Sequence, residues 1–134
     1  MEFRQATRTD LTKVVKALYC KDLSYITPEL VKADYCNERL YVVVEVEKVL
    51  ATVSLVPEEQ YGYTAIKRLC ICNKKNQGKG IARFALHECA KIAHGNIGAT
   101  PWSDNMGMRH LLESEGFELK YVFDIKWCFY CKTV

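Results

Sequence analysis

What this 134-residue sequence lacks narrows its possibilities first. No apolar run approaches the roughly 18 residues that a membrane-spanning helix needs, so no membrane partner is expected. The chain opens on Met1-Glu2-Phe3-Arg4-Gln5 rather than on a basic stretch leading into an apolar one. That start predicts no secretory leader and a cytoplasmic protein. Charge of one sign is also scarce: the net charge of +3 suits an anionic ligand as well as a weak nucleic-acid surface. The large basic footprint and interleaved aromatics of a nucleic-acid binder are missing, and nucleic acid is not the expected partner. No repeat, low-complexity tract or linker interrupts the chain, which reads as one domain over residues 1–134.

What is present is ordinary globular material. A hydrophobic content of 49% with 26% charged residues leaves no room for a disordered reading, and the length supports one real core. The seven cysteines are an odd number and, with no leader expected, read as reduced thiols. Cys70-x-Cys72 and Cys128-x-x-Cys131 have spacings found in zinc sites, but the second pair would face opposite sides of a strand. No metal is expected.

Periodicity gives an α+β chain. Phe3 to Thr7 opens as a short strand, and Thr9 or Asp10 would cap a helix whose stripe is Leu11, Val14, Val15 and Leu18, ending near Cys20. Thr27-Pro28-Glu29 reads as cap, first-turn proline and first-turn acid of a helix to about Tyr35. Leu40–Val46 and Val49–Val56 form a hairpin turning at Glu47-Lys48, and Tyr63–Cys72 adds a third strand. A helix then runs from Gly80 toward Gly95, followed by a strand at Ile97–Pro101. Ser103-Asp104-Asn105 supplies the cap of a last helix with Met108, Leu111 and Leu112 on its buried face, ended by Gly116. Leu119–Asp124 and Lys126–Lys132 close the chain as a hairpin. The sum is about seven strands and about four helices.

The segment Asn76-Gln77-Gly78-Lys79-Gly80-Ile81-Ala82 lies between a strand and a helix. Two glycines around a lysine make a turn whose amides can converge on an anion, reinforced by a partial charge of about +0.5 at the helix N-terminus. A Walker loop would need glycine at position 73 and Ser or Thr after the lysine, where this chain has Asn73 and Gly80. A dinucleotide fingerprint would need a third glycine and a strand-helix-strand unit. Lys74-Lys75-x-x-x-Lys79 is the densest basic cluster and would meet phosphates there.

Gln77-Gly78-Lys79-Gly80-Ile81-Ala82 resembles the Gln/Arg-x-x-Gly-x-Gly/Ala signature of the GNAT superfamily of N-acetyltransferases. Asn105, Met108, Leu111, Gly116 and Phe117 are similar to that family's second signature, Asn-x-x-Ala-x-x-Leu-Tyr-x-x-x-Gly-Phe, with matching spacing. The resemblance extends over the whole chain and implies a GNAT-type mixed, mostly antiparallel sheet flanked by helices. It implies acetyl-CoA as co-substrate, its pyrophosphate on the amides of Gln77, Gly78, Lys79, Gly80, Ile81 and Ala82. The pantetheine arm would pair with the backbone near Leu69 and Ile71, with Cys72 drawn in because the loop is one residue longer than usual, and Asn105 would contact that arm. Asn105 also reads as a plain helix cap.

Leu112 departs from the pattern: it stands where many relatives carry the tyrosine that protonates the departing thiolate. A thiol of pKa near 8.5 is only about 1.5 units, or roughly 2 kcal/mol, from leaving as thiolate at neutral pH. An alkylamine of pKa near 10.4 must first lose a proton, about 3.4 units or roughly 4.6 kcal/mol, so the base matters more. Candidate bases are Glu45, Glu58 and Glu59, the last two acting directly or through a water; Tyr63, Tyr121 and Tyr130 are candidate acids, and Glu58, Glu59 and Tyr121 lead as catalytic residues.

The expected activity is transfer of an acetyl group to a primary amine, with a small molecule as the leading acceptor. The alternatives are a non-catalytic CoA-binding module and an enzyme acting on a protein amine or aminoacyl-tRNA. The acceptor would be gripped by 24–37 and 57–63, where Tyr25, Tyr35, Tyr61, Glu58 and Glu59 suit a cationic or aromatic ligand. A homodimer is compatible with this reading.

Overall fold

The computed structural model describes residues 1–18, 26–93 and 95–133. Its strands are β1 (Glu2–Gln5), β2 (Leu40–Glu45), β3 (Lys48–Glu58), β4 (Tyr63–Ile71), β5 (Asn96–Ala99), β6 (Glu118–Phe123) and β7 (Trp127–Thr133). They form one sheet in the order β1-β2-β3-β4-β5-β7-β6, parallel where β4 meets β5 and antiparallel at β1–β2, β2–β3, β5–β7 and β6–β7. The helices are α1 (Arg8–Ala17), α2 (Pro28–Cys36), α3 (Ile81–Ile92) and α4 (Met106–Ser114). None of the described helices is long and apolar enough to cross a membrane. Two compact units emerge, Met1–Leu55 with Arg68–Ala85, and Val56–Lys67 with Leu86–Val134.

In the first unit the run Leu40-Tyr41-Val42-Val43-Val44 is nearly continuous in apolar character because β2 is covered on both faces. Val42 and Val44 join Val14 of α1, Val31 of α2, Cys70 and Cys72 on one face. Val43 and Ala51 meet Ile81 and Ala85 of α3 on the other, with Leu69 and Ile71 against them. Each such aliphatic side chain contributes about 1.5–3 kcal/mol through burial.

Two expectations about element ends need correction. The cap of α1 is neither Thr9 nor Asp10 but Thr7: its hydroxyl accepts from the Asp10 amide while the Asp10 carboxylate accepts from the Thr7 amide. This reciprocal pair satisfies two donors where a cap at Thr9 would satisfy one. The first hairpin turns at Val46-Glu47, both at positive φ, rather than at Glu47-Lys48. Within the Ser103-Asp104-Asn105 segment expected to supply the cap of α4, Asn105 does so, its side chain accepting from the Met108 amide. Thr27 caps α2 with Pro28 in the first turn, as its sequence predicts. The end of α1 near Cys20 falls outside the described residues, as do Ser24 and Tyr25 of the acceptor segment.

In the second unit, β4 pairs with β5 from Tyr63↔Asn96 to Ile66↔Ala99. Gly98 is required by contact: a Cβ there would lie 2.8 Å from the Tyr63 ring and 3.0 Å from Phe129. Tyr63, Phe129 and Tyr121 form an aromatic row across the sheet, with ring centroids 5.2 and 5.3 Å apart. Trp102 and Trp127 pair by an isolated bridge, their rings 4.5 Å apart. The edge strand β6 is exposed along its whole length.

Candidate active site

The segment after β4 is built by short-range chemistry. Asn73 takes a φ of 72° and its side chain accepts from the Lys75 amide, starting a 3-10 turn over Lys74–Asn76. The Asn76 side chain donates to the Cys72 carbonyl at 2.8 Å, and the Cys72 amide donates to Leu50 at 2.8 Å. Cys72 is therefore fully buried and engaged through its backbone, and it supports the turn from beneath.

Gln77 is extended, and Gly78 and Gly80 follow at φ 75° and 77°, which a glycine adopts without penalty. A Cβ built on either would meet nothing within 4 Å, so the space over both glycines is open. The Gly80 carbonyl accepts from Phe84 at 3.0 Å, making Gly80 the residue that starts α3. With no side chain, Gly80 cannot cap the first-turn amides that serine or aspartate would engage. The result is an exposed turn with a helix dipole behind it and lysines at 75 and 79. Lys75, Lys79 and Ile81 also line a cavity of about 860 Å³.

Behind the turn, Arg68 takes a left-handed φ of 53° within β4. Its guanidinium donates twice to the Asp34 carboxylate of α2, at 2.5 and 2.7 Å, and Ser54 donates to the same carboxylate at 2.5 Å. Sequence reasoning missed this anchor. The available signal was an acid at position 34 on the same helix stripe as buried Val31, where an unpaired charge would be costly.

Apart from Tyr35 and Glu45, the other sequence candidates lie in the second unit. Glu58 pairs with Lys67 at 3.4 Å, and Glu59 opens an exposed 3-10 turn ending at Gly62. Tyr63 is half-buried against Phe129; burial first, then the Glu58 charge, pushes its phenol pKa up. Tyr121 is 57% exposed on β6. Tyr130 is fully buried, its hydroxyl donating to Glu113 at 2.6 Å and accepting from Arg109 at 3.0 Å. Burial raises its pKa, with the Arg109 bond working against that rise. Leu112 is fully buried too, a hydrocarbon in the packed interior. Tyr61 is exposed; in the first unit Tyr35 of α2 packs half-buried against the core around Val14 and Val31, and Glu45 is exposed at the end of β2. Asn105 occupies its side-chain oxygen in capping α4. Among the described residues no three His, Cys, Asp or Glu side chains gather into a metal site.

Comparison with known proteins agrees with this fold. The model of the acetyltransferase (GNAT) family matches residues 9–117. Among solved structures, a GNAT-family acetyltransferase from Bacillus cereus superposes with a TM-score of 0.82 at 15% identity, over 98% of this chain and 96% of that one. An aminoglycoside 6'-N-acetyltransferase complexed with coenzyme A gives 0.78 at 12% identity, over 99% and 97%. A ribosomal-protein-alanine N-acetyltransferase from Brucella melitensis gives 0.75 at 18%, over 100% of both. No curated protein matches the sequence.

Proposed function

Since the chain belongs to the GNAT family of acetyltransferases, we propose that it moves the acetyl group of acetyl-CoA to a primary amine by direct attack. The observation that carries this reading is the open cradle over Gly78 and Gly80 at the start of α3. The residues fit the group: amides from Gly78 to Ala82 suit a pyrophosphate, with Gln77 beside them although its own amide donates to the Lys74 carbonyl at 3.1 Å, and Lys79 adds charge. Leu69 and Ile71 would offer backbone to the pantetheine arm, while Cys72 would act through the turn it supports. Asn105 would contact that arm through the part of its amide not used in capping. The donor supplies an activated acyl group; the protein's part is to hold it and to manage protons.

Glu58 or Glu59 would take the proton from the ammonium, directly or through a water. Tyr121 would serve as the proton source in place of Leu112. Because the thiolate needs only about 2 kcal/mol of help, loss of the acid should matter less than loss of the base. Gly80→Glu places bulk and negative charge in the cradle, and titration calorimetry with acetyl-CoA should show binding abolished. Unchanged binding would falsify the reading.

A second reading, CoA binding without transfer, is favoured by one observation, the burial of Leu112. Thiol release measured over a panel of amines separates the two. The panel should include an aminoglycoside and a peptide with N-terminal alanine, since acetyltransferases named for both kinds of acceptor share the fold. Turnover on any of them supports the enzyme, and silence on all supports the binding module.

A further inference from the structure

The sheet ends in two edges of unlike chemistry. Strand β1 is four residues long and carries Glu2 and Arg4, the short, charged build that discourages a further strand from pairing. Strand β6, the other edge, is six residues long, exposed at every position, and holds Leu119, Tyr121, Val122 and Phe123. Each of these four is at least 40% exposed. Alternation gives both faces of the strand apolar surface. Tyr121 and Phe123 lie on the face of the Phe129 ring, their own centroids 5.7 Å apart, and Val122 turns to the other face.

Among the described residues β6 pairs only with β7, so its outer row of N–H and C=O groups is a template for another strand. Proline is absent from it, and its two charges, Glu118 and Lys120, already meet each other at 3.1 Å. The stretch is also complementary to its own reverse. About a two-fold axis through Val122, antiparallel pairing sets Val122 against Val122, Tyr121 against Phe123, and Lys120 against Asp124 of the second copy. Apolar residues then meet apolar ones, and the lysine meets a carboxylate. An axis through Lys120 would oppose two lysines, and one through Tyr121 would oppose Glu118 to Asp124. An axis through Leu119 would leave Val122 and Phe123 uncovered.

We propose that β6 receives the β6 strand of a second copy of this chain, antiparallel about Val122, so that two sheets continue edge to edge in a homodimer. A two-fold contact uses each edge once and ends there, which closes an edge that would otherwise invite open-ended pairing. Tyr121 contributes the hydrocarbon of its ring and keeps its hydroxyl at the tip, so its part as proton source is not consumed. The inference stands on the strand alone and is independent of what donates or accepts the acetyl group.

The test is sedimentation velocity over a concentration series of the protein alone. Wild-type protein should reach twice the 15.4 kDa chain mass by about 100 μM, and hydrogen exchange at the amides of 120–123 should slow as the dimer forms. Val122→Lys sets two ammonium groups face to face on the axis and should be monomeric at the same concentration, with unchanged far-ultraviolet circular dichroism. Lys120→Asp and Asp124→Lys should each weaken dimerisation about tenfold, since each contact occurs twice, and the double reversal should restore it. Wild-type protein that stays monomeric throughout would overturn the proposal, and that measurement needs no variant. So would a dimer that survives Val122→Lys, which would put the contact on another surface. Growth into a ladder of larger species would overturn the closed two-fold contact. A double reversal no tighter than its single variants would overturn the register about Val122.

Discussion

Asp34 accepts three hydrogen bonds, two from Arg68 and one from Ser54, and it is buried. Removing such a partner leaves a guanidinium without its counter-charge in a poorly hydrated place. Asp34→Ala should therefore lower unfolding free energy by about 3 kcal/mol or more, read as a fall in the urea midpoint. Because Arg68 holds its left-handed conformation just before Leu69 and Ile71, acetyl-CoA affinity should fall as well. Asp34→Asn, which keeps the side-chain shape and one of the two acceptor oxygens, should lose less. Leucine at 112 shows the opposite situation. Its full burial satisfies packing alone, and no neighbouring residue could reveal from sequence that Tyr130 would send its hydroxyl to Arg109 and Glu113 on the same helix.

Helix α1 starts with the Thr7–Asp10 box, and Arg4 binds the same carboxylate. Burial would push the Asp10 carboxyl up, but the Arg4 and Thr7 hydrogen bonds outweigh it and hold the pKa below the ordinary value. Its contribution is therefore complete above the usual carboxylate range, near pH 4, and is lost as pH falls through the lower folded value. Asp10→Asn should flatten the stability curve below about pH 4 and lower stability at pH 7, measured by urea midpoints across a pH series. Thr7→Ala should cost about 1 kcal/mol through the cap alone.

The second hairpin turns at Asp124-Ile125, both at positive φ, with Ile125 89% exposed. A β-branched residue is poorly suited to that conformation, so Ile125→Gly should raise stability by about 1 kcal/mol, seen as a higher melting temperature. These two elements show where sequence was legible. Helices with stripes, Pro28 and the glycine stops could be read because each signal is local. The Thr7 box and the residues of the first turn could not, since Thr7 looks like strand continuation and Val46 opposes its turn; the last hairpin was legible from its flanking strands, although Ile125 opposes the turn it occupies. In the candidate site, Gln77 to Ala82 is a contiguous motif and was readable. Asp34 and Arg68 meet only after folding.

Across the molecule the six described cysteines differ sharply in access. Cys70, Cys72, Cys89 and Cys128 are buried, Cys131 is intermediate and Cys36 is exposed. Burial first, with Glu88 adding, pushes the Cys89 thiol up to about 12, far from thiolate at neutral pH. In native protein Cys36 should react rapidly with a disulfide reagent while the four buried thiols wait for unfolding, so the slow phase of colour release should track the denaturant. Acetyl-CoA should lengthen that slow phase by stabilising the folded state. The two tryptophans offer a second, optical handle. They are the only two in the chain, and their rings lie 4.5 Å apart, tilted by 39°. Tryptophan emission therefore comes from one spot next to α4 rather than from an average over the fold. Coupled transitions of two indoles so close should give a paired circular dichroism band that vanishes with Trp102→Phe, making the protein its own local reporter.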